Sequence, residues 1–233
     1  MTRGANREPS DARYRIVGEL AHEAASRNKA PVPLPTFLMF DDFVANPHEL
    51  RRQALGLGYS GADKNGNYPG ITSDRALPIA GLDDFVSRSI GARVRGAQGT
   101  LHGHCRLTLK ADRGRSGVHI DPAFYSGLLY LSLPEDAQGG TDFYRHKRTG
   151  LERLPTGVDA IVEAGYANVN DVIEDVVNKD TLRPGAWERS FAAPMRFNRL
   201  VLFPPYLFHN SARGFGDGPE NGRLVYLMFF EAA

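Results

Sequence analysis

A mainly β fold with flanking helices is what this sequence predicts, and three observations predict it. Five segments beyond residue 100 have strand character. They are led by the run 101–111, in which Leu101, Gly103, Cys105, Leu107, Leu109 and Ala111 alternate with His102, His104, Arg106, Thr108 and Lys110; a period of two is a strand signal. Twenty-five glycines and 15 prolines, spread over 233 residues, cut the chain into short elements. Many short strands with turns between them, and no strand–helix alternation, favour a sandwich or barrel over a parallel sheet.

Taken in order, residues 1–35 read as a polar arm with a weak helical pattern at Val17, Leu20 and Ala24, ending in a stiff linker with Pro31, Pro33 and Pro35. Residues 36–100 read as a helical extension packed on the core. It opens with a short strand at 36–40. Asn46-Pro47 then starts a helix, since Asn can cap and Pro suits the first turn, and Leu50, Ala54 and Leu57 follow at helical spacing. The stretch 59–78 is turn-rich, with Asn65-Gly66 and Pro69-Gly70 as punctuation. Leu82, Phe85, Val86 and Ile90 make a second stripe that stops at Gly91. Residues 101–233 read as the core, with further strands at 126–133, 141–145, 200–203 and 223–230. An insertion, 146–196, interrupts them. Within it 158–162 and 172–177 look helical, and Pro184, Gly185 and Trp187 look like loop; an insertion of this length between strands is often a lid.

Composition removes several function classes. Lys and Arg total 28 against 27 for Asp and Glu, which gives no general electrostatic grip on nucleic acid or an anionic membrane. No apolar run approaches the length of a membrane span, and the polar N-terminus lacks the apolar core of a secretory signal. The single cysteine, Cys105, has no intrachain partner for a disulfide. A cytoplasmic protein is the simplest expectation.

Seven histidines are the first place to look for chemistry. His22, His48, His102 and His104 read as surface or satisfied core. His146 lies in the basic run Arg145-His146-Lys147-Arg148, expected to be a solvated face or a local anion site. His119-Ile120-Asp121 is different. Residues two apart in an extended segment project to one side, so an imidazole and a carboxylate can meet a single cation. His209, at the end of a strand and turn, is the natural third ligand. Two imidazoles and one carboxylate leave open positions on an octahedral ion, an arrangement that suits non-haem Fe(II).

Four ordered elements then make the chain familiar: His119-Ile-Asp121, the strand opened by Gly139-Gly140-Thr141, the run 202–209 ending in His209, and Gly222-Arg223-Leu224. Together they resemble the Fe(II)/2-oxoglutarate-dependent oxygenases, most closely a prolyl-hydroxylase-like bacterial branch whose members are mostly uncharacterised. Asp41-Asp42-Phe43, the Asn46-Pro47 helix and Tyr68-Pro69-Gly70 look like that branch as well. The resemblance implies a double-stranded β-helix (jelly roll) core, with Fe(II), 2-oxoglutarate and O2 as cofactor and cosubstrates. It implies His119, Asp121 and His209 as iron ligands and Arg223 as the clamp on the far carboxylate of 2-oxoglutarate. Arg213, four residues after His209, competes for that role. Arg106 and Tyr130 are further candidates to touch the cosubstrate; Trp187, Tyr68 and Arg75 are weaker ones near the substrate. The expected reaction is hydroxylation of an amino-acid or peptide side chain or of a small natural-product intermediate, releasing succinate and CO2. A carboxylate at Asp121 argues against the halogenating relatives, which have a small residue there. Two alternatives stay open: a metal-binding jelly roll of cupin type that does not use 2-oxoglutarate, such as a hydrolase or isomerase, and a non-catalytic binding module.

Overall fold

The computed structural model describes residues 37–61 and 66–233. The expected N-terminal arm, its proline linker, His22 and Asn65 lie outside the described residues. Sixteen elements follow in chain order. They are β1 (Leu38–Phe40), α1 (Pro47–Leu55), β2 (Ile71–Thr72), α2 (Leu82–Ile90), β3 (Val94–Gly96), β4 (Cys105–Thr108), β5 (Tyr125–Tyr130) and β6 (Gly140–His146). Then come α3 (Val158–Glu163), α4 (Val169–Val172), a π-helical turn (Ile173–Asn178), a 3-10 turn (Pro184–Ala186), β7 (Trp187–Pro194), β8 (Leu200–Phe203), β9 (His209–Ser211) and β10 (Arg223–Ala232).

The fold is mainly β and antiparallel. A seven-stranded sheet runs β1-β8-β5-β10-β4-β2, with β3 paired to the far end of β10, and a three-stranded sheet runs β7-β6-β9. An isolated antiparallel bridge, His119 to His209, adds the segment 119–121 to the free edge of β9. No helix among the described residues is long and apolar enough to cross a membrane.

Both faces of the large sheet are covered, and the alternation along β10 shows how. Leu224, Tyr226, Met228 and Phe230 join the core between this sheet and helices α1 and α2, with Leu50, Ala54, Phe85 and Val86 from the helices. Arg223, Val225, Leu227 and Phe229 point the other way, into a cavity. In β4 the same split sends Cys105 and Leu107 to the helical side and Arg106 and Thr108 to the cavity. All four β4 residues are buried. The polar half of the alternation therefore faces a cavity inside the protein, where a solvated face would ordinarily be read.

The expected helices and the strands at 126–133, 141–145, 200–203 and 223–230 are present within a few residues of their expected ends. Gly91 ends α2 in the left-handed conformation, as its position implied. Three expectations need correction. The run 101–111 is strand only at Cys105–Thr108: Gly103, at φ 82°, turns the chain before it, and Asp112 accepts from the Leu109 N–H to turn it after. Trp187 is no loop residue but the first of β7, which pairs along β6 within the expected insertion. His146 is fully buried, not on a solvated face. Its ring lies tilted against Trp187, with 4.8 Å between centroids, and Trp187 packs with Val172, Val176 and Phe208 in a separate core with the inserted helices. The strands β2, β3 and β9, two or three residues each, are too short to leave a periodic signal.

The extension is clipped to the core by Asn198. Its side chain accepts from the Val44 N–H and donates to the Val44 carbonyl, both at 2.9 Å, and Asn tolerates the required φ of 63°. Next to it Arg199 holds Asp41 with two hydrogen bonds.

Candidate metal centre

The three ligand candidates come together at one end of the space between the sheets. His119 and His209 form a reciprocal backbone pair, with N–H···O distances of 2.9 and 3.0 Å, and the Asp121 N–H donates to the Pro205 carbonyl at 3.0 Å. This pairing keeps 119–121 extended, so His119 and Asp121 project to one side. Pro204 and Pro205 end β8 and lead the chain back along that segment. One ligand atom from each of His119, Asp121 and His209 lies within 4.8 Å of the others. The nearest approaches are His209 Nε2 to Asp121 Oδ2 at 3.4 Å and His119 Nε2 to Asp121 Oδ1 at 3.7 Å.

The hydrogen bonds choose the nitrogens. Nδ1 of His119 lies 2.9 Å from the Gly117 carbonyl, and Nδ1 of His209 lies 2.8 Å from the Leu207 carbonyl. A carbonyl only accepts, so each Nδ1 carries the proton, and each Nε2 lone pair is directed to the shared space. Ser126 donates to Asp121 Oδ2 at 2.7 Å and fixes the carboxylate.

Charge follows from this crowding. Burial pushes the His119 imidazole down to about 4, with His209 adding to the effect. Burial also opposes a proton on His209, but the Asp121 carboxylate outweighs it and leaves His209 above its ordinary value. Burial would raise Asp121; the charge and hydrogen bond of His209, then His119 and Ser126, bring it below the usual carboxylate range. The group thus holds a carboxylate and imidazole nitrogens at one point, a donor set that suits a divalent transition metal.

The cavity behind the triad measures about 380 Å³. Its deep end is lined by Thr108, Thr141, Ser211 and Arg223. Arg223 is 3% exposed. Its Nη2 donates to the Gly140 carbonyl at 3.2 Å, while its Nε has no partner. Among the described residues no carboxylate pairs with it. Burial, with a contribution from Arg106, lowers its pKa. Gly140 permits the close approach of β7 at this point: a Cβ there would sit 1.9 Å from the Ala193 carbonyl.

Tyr68 covers the side wall. Its ring lies 4.7 Å from that of His119, and the Arg106 guanidinium stands 5.8 Å over the same ring. Gly70 lets the loop approach so closely: it has φ 91°, and a Cβ would meet the Leu107 carbonyl at 2.3 Å. Burial, then the Asp121 charge, pushes the Tyr68 hydroxyl up to about 12.

Other candidates lie elsewhere. Arg213 is exposed and lines a neighbouring cleft with Asp112 and Arg113, which shares Pro69 and Ser211 with the cavity. Tyr130 is buried in the core between the sheets; its hydroxyl lies 2.9 Å from Thr141 Oγ1 and 3.1 Å from the Ala193 carbonyl. Thr141 lines the cavity and Tyr130 does not. Trp187 donates to the Asp180 carbonyl at 2.8 Å and is core to the insertion. Arg75 is exposed and away from the cavity lining, and His48 is exposed against Phe197. His102 and His104 are satisfied by the backbone at Phe229 and Ser73. Sequence reasoning missed Ser126, Thr108, Thr141 and Ser211. The position of Thr141 directly after Gly139-Gly140 was a usable signal; the others had none.

A family model matches residues 28–230, most of the chain. The chain belongs to a family of unknown function, DUF6445. No curated protein matches it. The description of DUF6445 names no activity, so the chemistry of this member rests on its side chains.

Proposed function

We propose that the protein is a non-haem Fe(II)/2-oxoglutarate-dependent oxygenase that hydroxylates an unactivated C–H bond. The observation that carries the reading is the pairing, in one cavity, of a two-histidine, one-carboxylate group with a buried arginine that has no carboxylate partner among the described residues. A metal site alone fits many reactions. A deep guanidinium beside it asks for an anion as well, and its planar fork matches a carboxylate.

Register supports a five-carbon diacid. Arg223 reaches the small sheet at Gly140, next to the Thr141–Ser211 pair, while His209 pairs with Phe143. Two residues along a strand are about 7 Å. A diacid whose inner oxygens meet the metal extends its far carboxylate to that depth, where Thr108, Thr141 and Ser211 offer hydroxyls. Strand order supports the jelly-roll reading: β4-β10-β5-β8 are neighbours in the large sheet, and the segment 119–121 continues β9-β6-β7 in the small one.

His119, Asp121 and His209 would hold Fe(II), which with 2-oxoglutarate and O2 supplies the oxidant for a C–H bond. The overall balance is R–H + 2-oxoglutarate + O2 → R–OH + succinate + CO2. Asp121 would serve as a third protein ligand where the halogenating relatives have a small residue, which favours hydroxylation. Ser126 keeps the carboxylate turned to the metal, the Gly117 and Leu207 carbonyls fix the imidazole tautomers, and Arg223 neutralises and orients the diacid. Leu128, Phe203, Val225 and Leu227 exclude water around it.

The test is anaerobic titration of 2-oxoglutarate into the Fe(II)-loaded protein. A weak visible charge-transfer band is expected, with succinate formed on admitting air. Metal binding with no band and no succinate would refute the reading in favour of a cupin-type metal protein.

A further inference from the structure

The cavity contains a second buried guanidinium, and the proposed cosubstrate needs only one. We infer that Arg106 and Tyr68 form a receptor for the carboxylate of the primary substrate, which is therefore a small organic acid with an apolar body. The inference rests on the oxygenase reading of the same site.

Three observations carry it. The first is position. Arg223 pairs with Thr108 across the β10–β4 ladder, and Arg106 pairs with Val225, two residues nearer the open end. Arg223 lies at the far end of a diacid that starts on the metal. Arg106 stands beside that path, leaning over Tyr68, whose ring packs against the ligand His119. An anion held there lies on the metal side of the deep clamp, two strand positions from it.

The second is donor chemistry. Arg106 is 8% exposed and donates through Nη1 to Thr72 Oγ1 at 3.1 Å, which fixes its plane against the wall. Tyr68 lines the same cavity, and its hydroxyl makes no hydrogen bond among the described residues. The guanidinium charge and the phenol O–H on one wall together suit a planar carboxylate.

The third is the remaining wall. Towards the open end the lining turns apolar, with Leu101, Pro122, Leu227 and Phe229. A cavity of about 380 Å³ is at the low end for small-molecule pockets, and it must hold the diacid too. An acid with a short aliphatic or aromatic body fits the space that is left, with its C–H bonds turned to the metal.

The experiment uses the full chain loaded with Fe(II) and 2-oxoglutarate. The probes are four acids, L-leucine, L-phenylalanine, phenylacetate and octanoate, each against its own primary amide. Binding is read anaerobically as a change in the visible band and a rise in melting temperature. Turnover is read as succinate in air. At least one acid should bind and raise succinate formation about 5-fold or more over the uncoupled rate, and its amide should bind at least about 10-fold more weakly. Arg106→Gln and Tyr68→Phe should each weaken that acid about 10-fold or more while changing 2-oxoglutarate affinity less than about 3-fold; Arg106→Lys should recover part of the loss. Metal content and melting temperature report whether each variant folds.

Equal binding of acids and amides, or no binding by any acid, would overturn the inference. So would a loss of 2-oxoglutarate affinity in Arg106→Gln matching that in Arg223→Ala, which would assign Arg106 to the cosubstrate. If the wild-type protein shows no 2-oxoglutarate band, the oxygenase reading fails first, and acid binding to the Fe(II) protein alone then decides the receptor separately.

Discussion

His119, Asp121 and His209 at the cavity, and His146 with Asp180 beneath the insertion, are the same residue types buried in two settings. In the second cluster Nε2 of His146 meets Asp180 Oδ2 at 3.0 Å and Nδ1 meets Thr149 Oγ1 at 2.9 Å. Both ring nitrogens are used inside the protein, and Trp187 packs against the ring at a tilt of 54°. In the first cluster each Nδ1 is bound to a carbonyl and each Nε2 faces the others around an open space. The lesson is that residue type and burial do not mark a metal centre. Unspent lone pairs that converge on a cavity mark a candidate for one.

Two of the three buried arginines among the described residues repeat the lesson. Arg51 and Arg223 each have an unpartnered Nε. Arg51 donates to the Glu220 carbonyl and lies 3.7 Å from the Glu220 carboxylate. Arg223 has a single carbonyl and a cavity. A buried cation without a counter-charge costs stability unless something supplies one.

The largest expected effect separates the two histidine clusters. His209→Ala should weaken Fe(II) or Mn(II) binding by more than about 100-fold, because losing a group that merely orients a ligand already costs about 10–100-fold. His146→Ala should leave metal stoichiometry intact. Metal analysis after dialysis decides; a His146→Ala protein that loses its metal would make the comparison wrong.

Stability should show the reverse order. His146→Ala opens a cavity beside Trp187 and leaves Asp180 with the exposed Arg183 in place of a buried partner, at a cost of about 2–4 kcal/mol in denaturant unfolding. His209→Ala in the metal-free protein should cost less, since Asp121 keeps Ser126.

Arg223→Met sharpens the arginine comparison. On the oxygenase reading 2-oxoglutarate affinity should fall about 30-fold or more, with metal affinity little changed. Thermal stability of the apo protein should hold or rise, because an apolar isostere removes an unpaired buried charge. Arg51→Met should instead lose about 1 kcal/mol. A large drop in stability for Arg223→Met would show that a protein group, and no ligand, is its counterpart.

The smallest effect concerns the clip at Asp41. Hydrogen bonds from Arg199 hold this carboxyl below its ordinary value against the effect of burial. A depressed folded pKa gives stability that is present above the unfolded value, near 4, and is lost as pH falls through the folded one. Solvent screening limits it to about 1 kcal/mol or less. Asp41→Asn should remove that part of the acid dependence below about pH 4, measured by urea melts.

Much of this molecule was legible in its sequence, for local reasons. Pro47, Gly91 and the stripes at Leu50 and Phe85 mark helix ends and faces by rules that act within a few residues. The strand at Leu200–Phe203 is apolar throughout because both its faces are buried. The spacing of His119 and Asp121 sets their common side wherever the chain is extended. Tertiary structure decided everything that depends on distant segments meeting. Alternation along β4 could not say that Arg106 and Thr108 face an enclosed cavity, because a polar cavity wall and a solvated face leave the same pattern. Strand β7 was hidden because its partner β6 is some forty residues away and its outer residues are polar. His146 looked solvated within a basic run, and only the approach of Asp180 and Trp187 buried it. Arg223 was separated from Arg213 by depth alone: one guanidinium ends inside the cavity and the other in solvent, a difference that a linear chain does not carry.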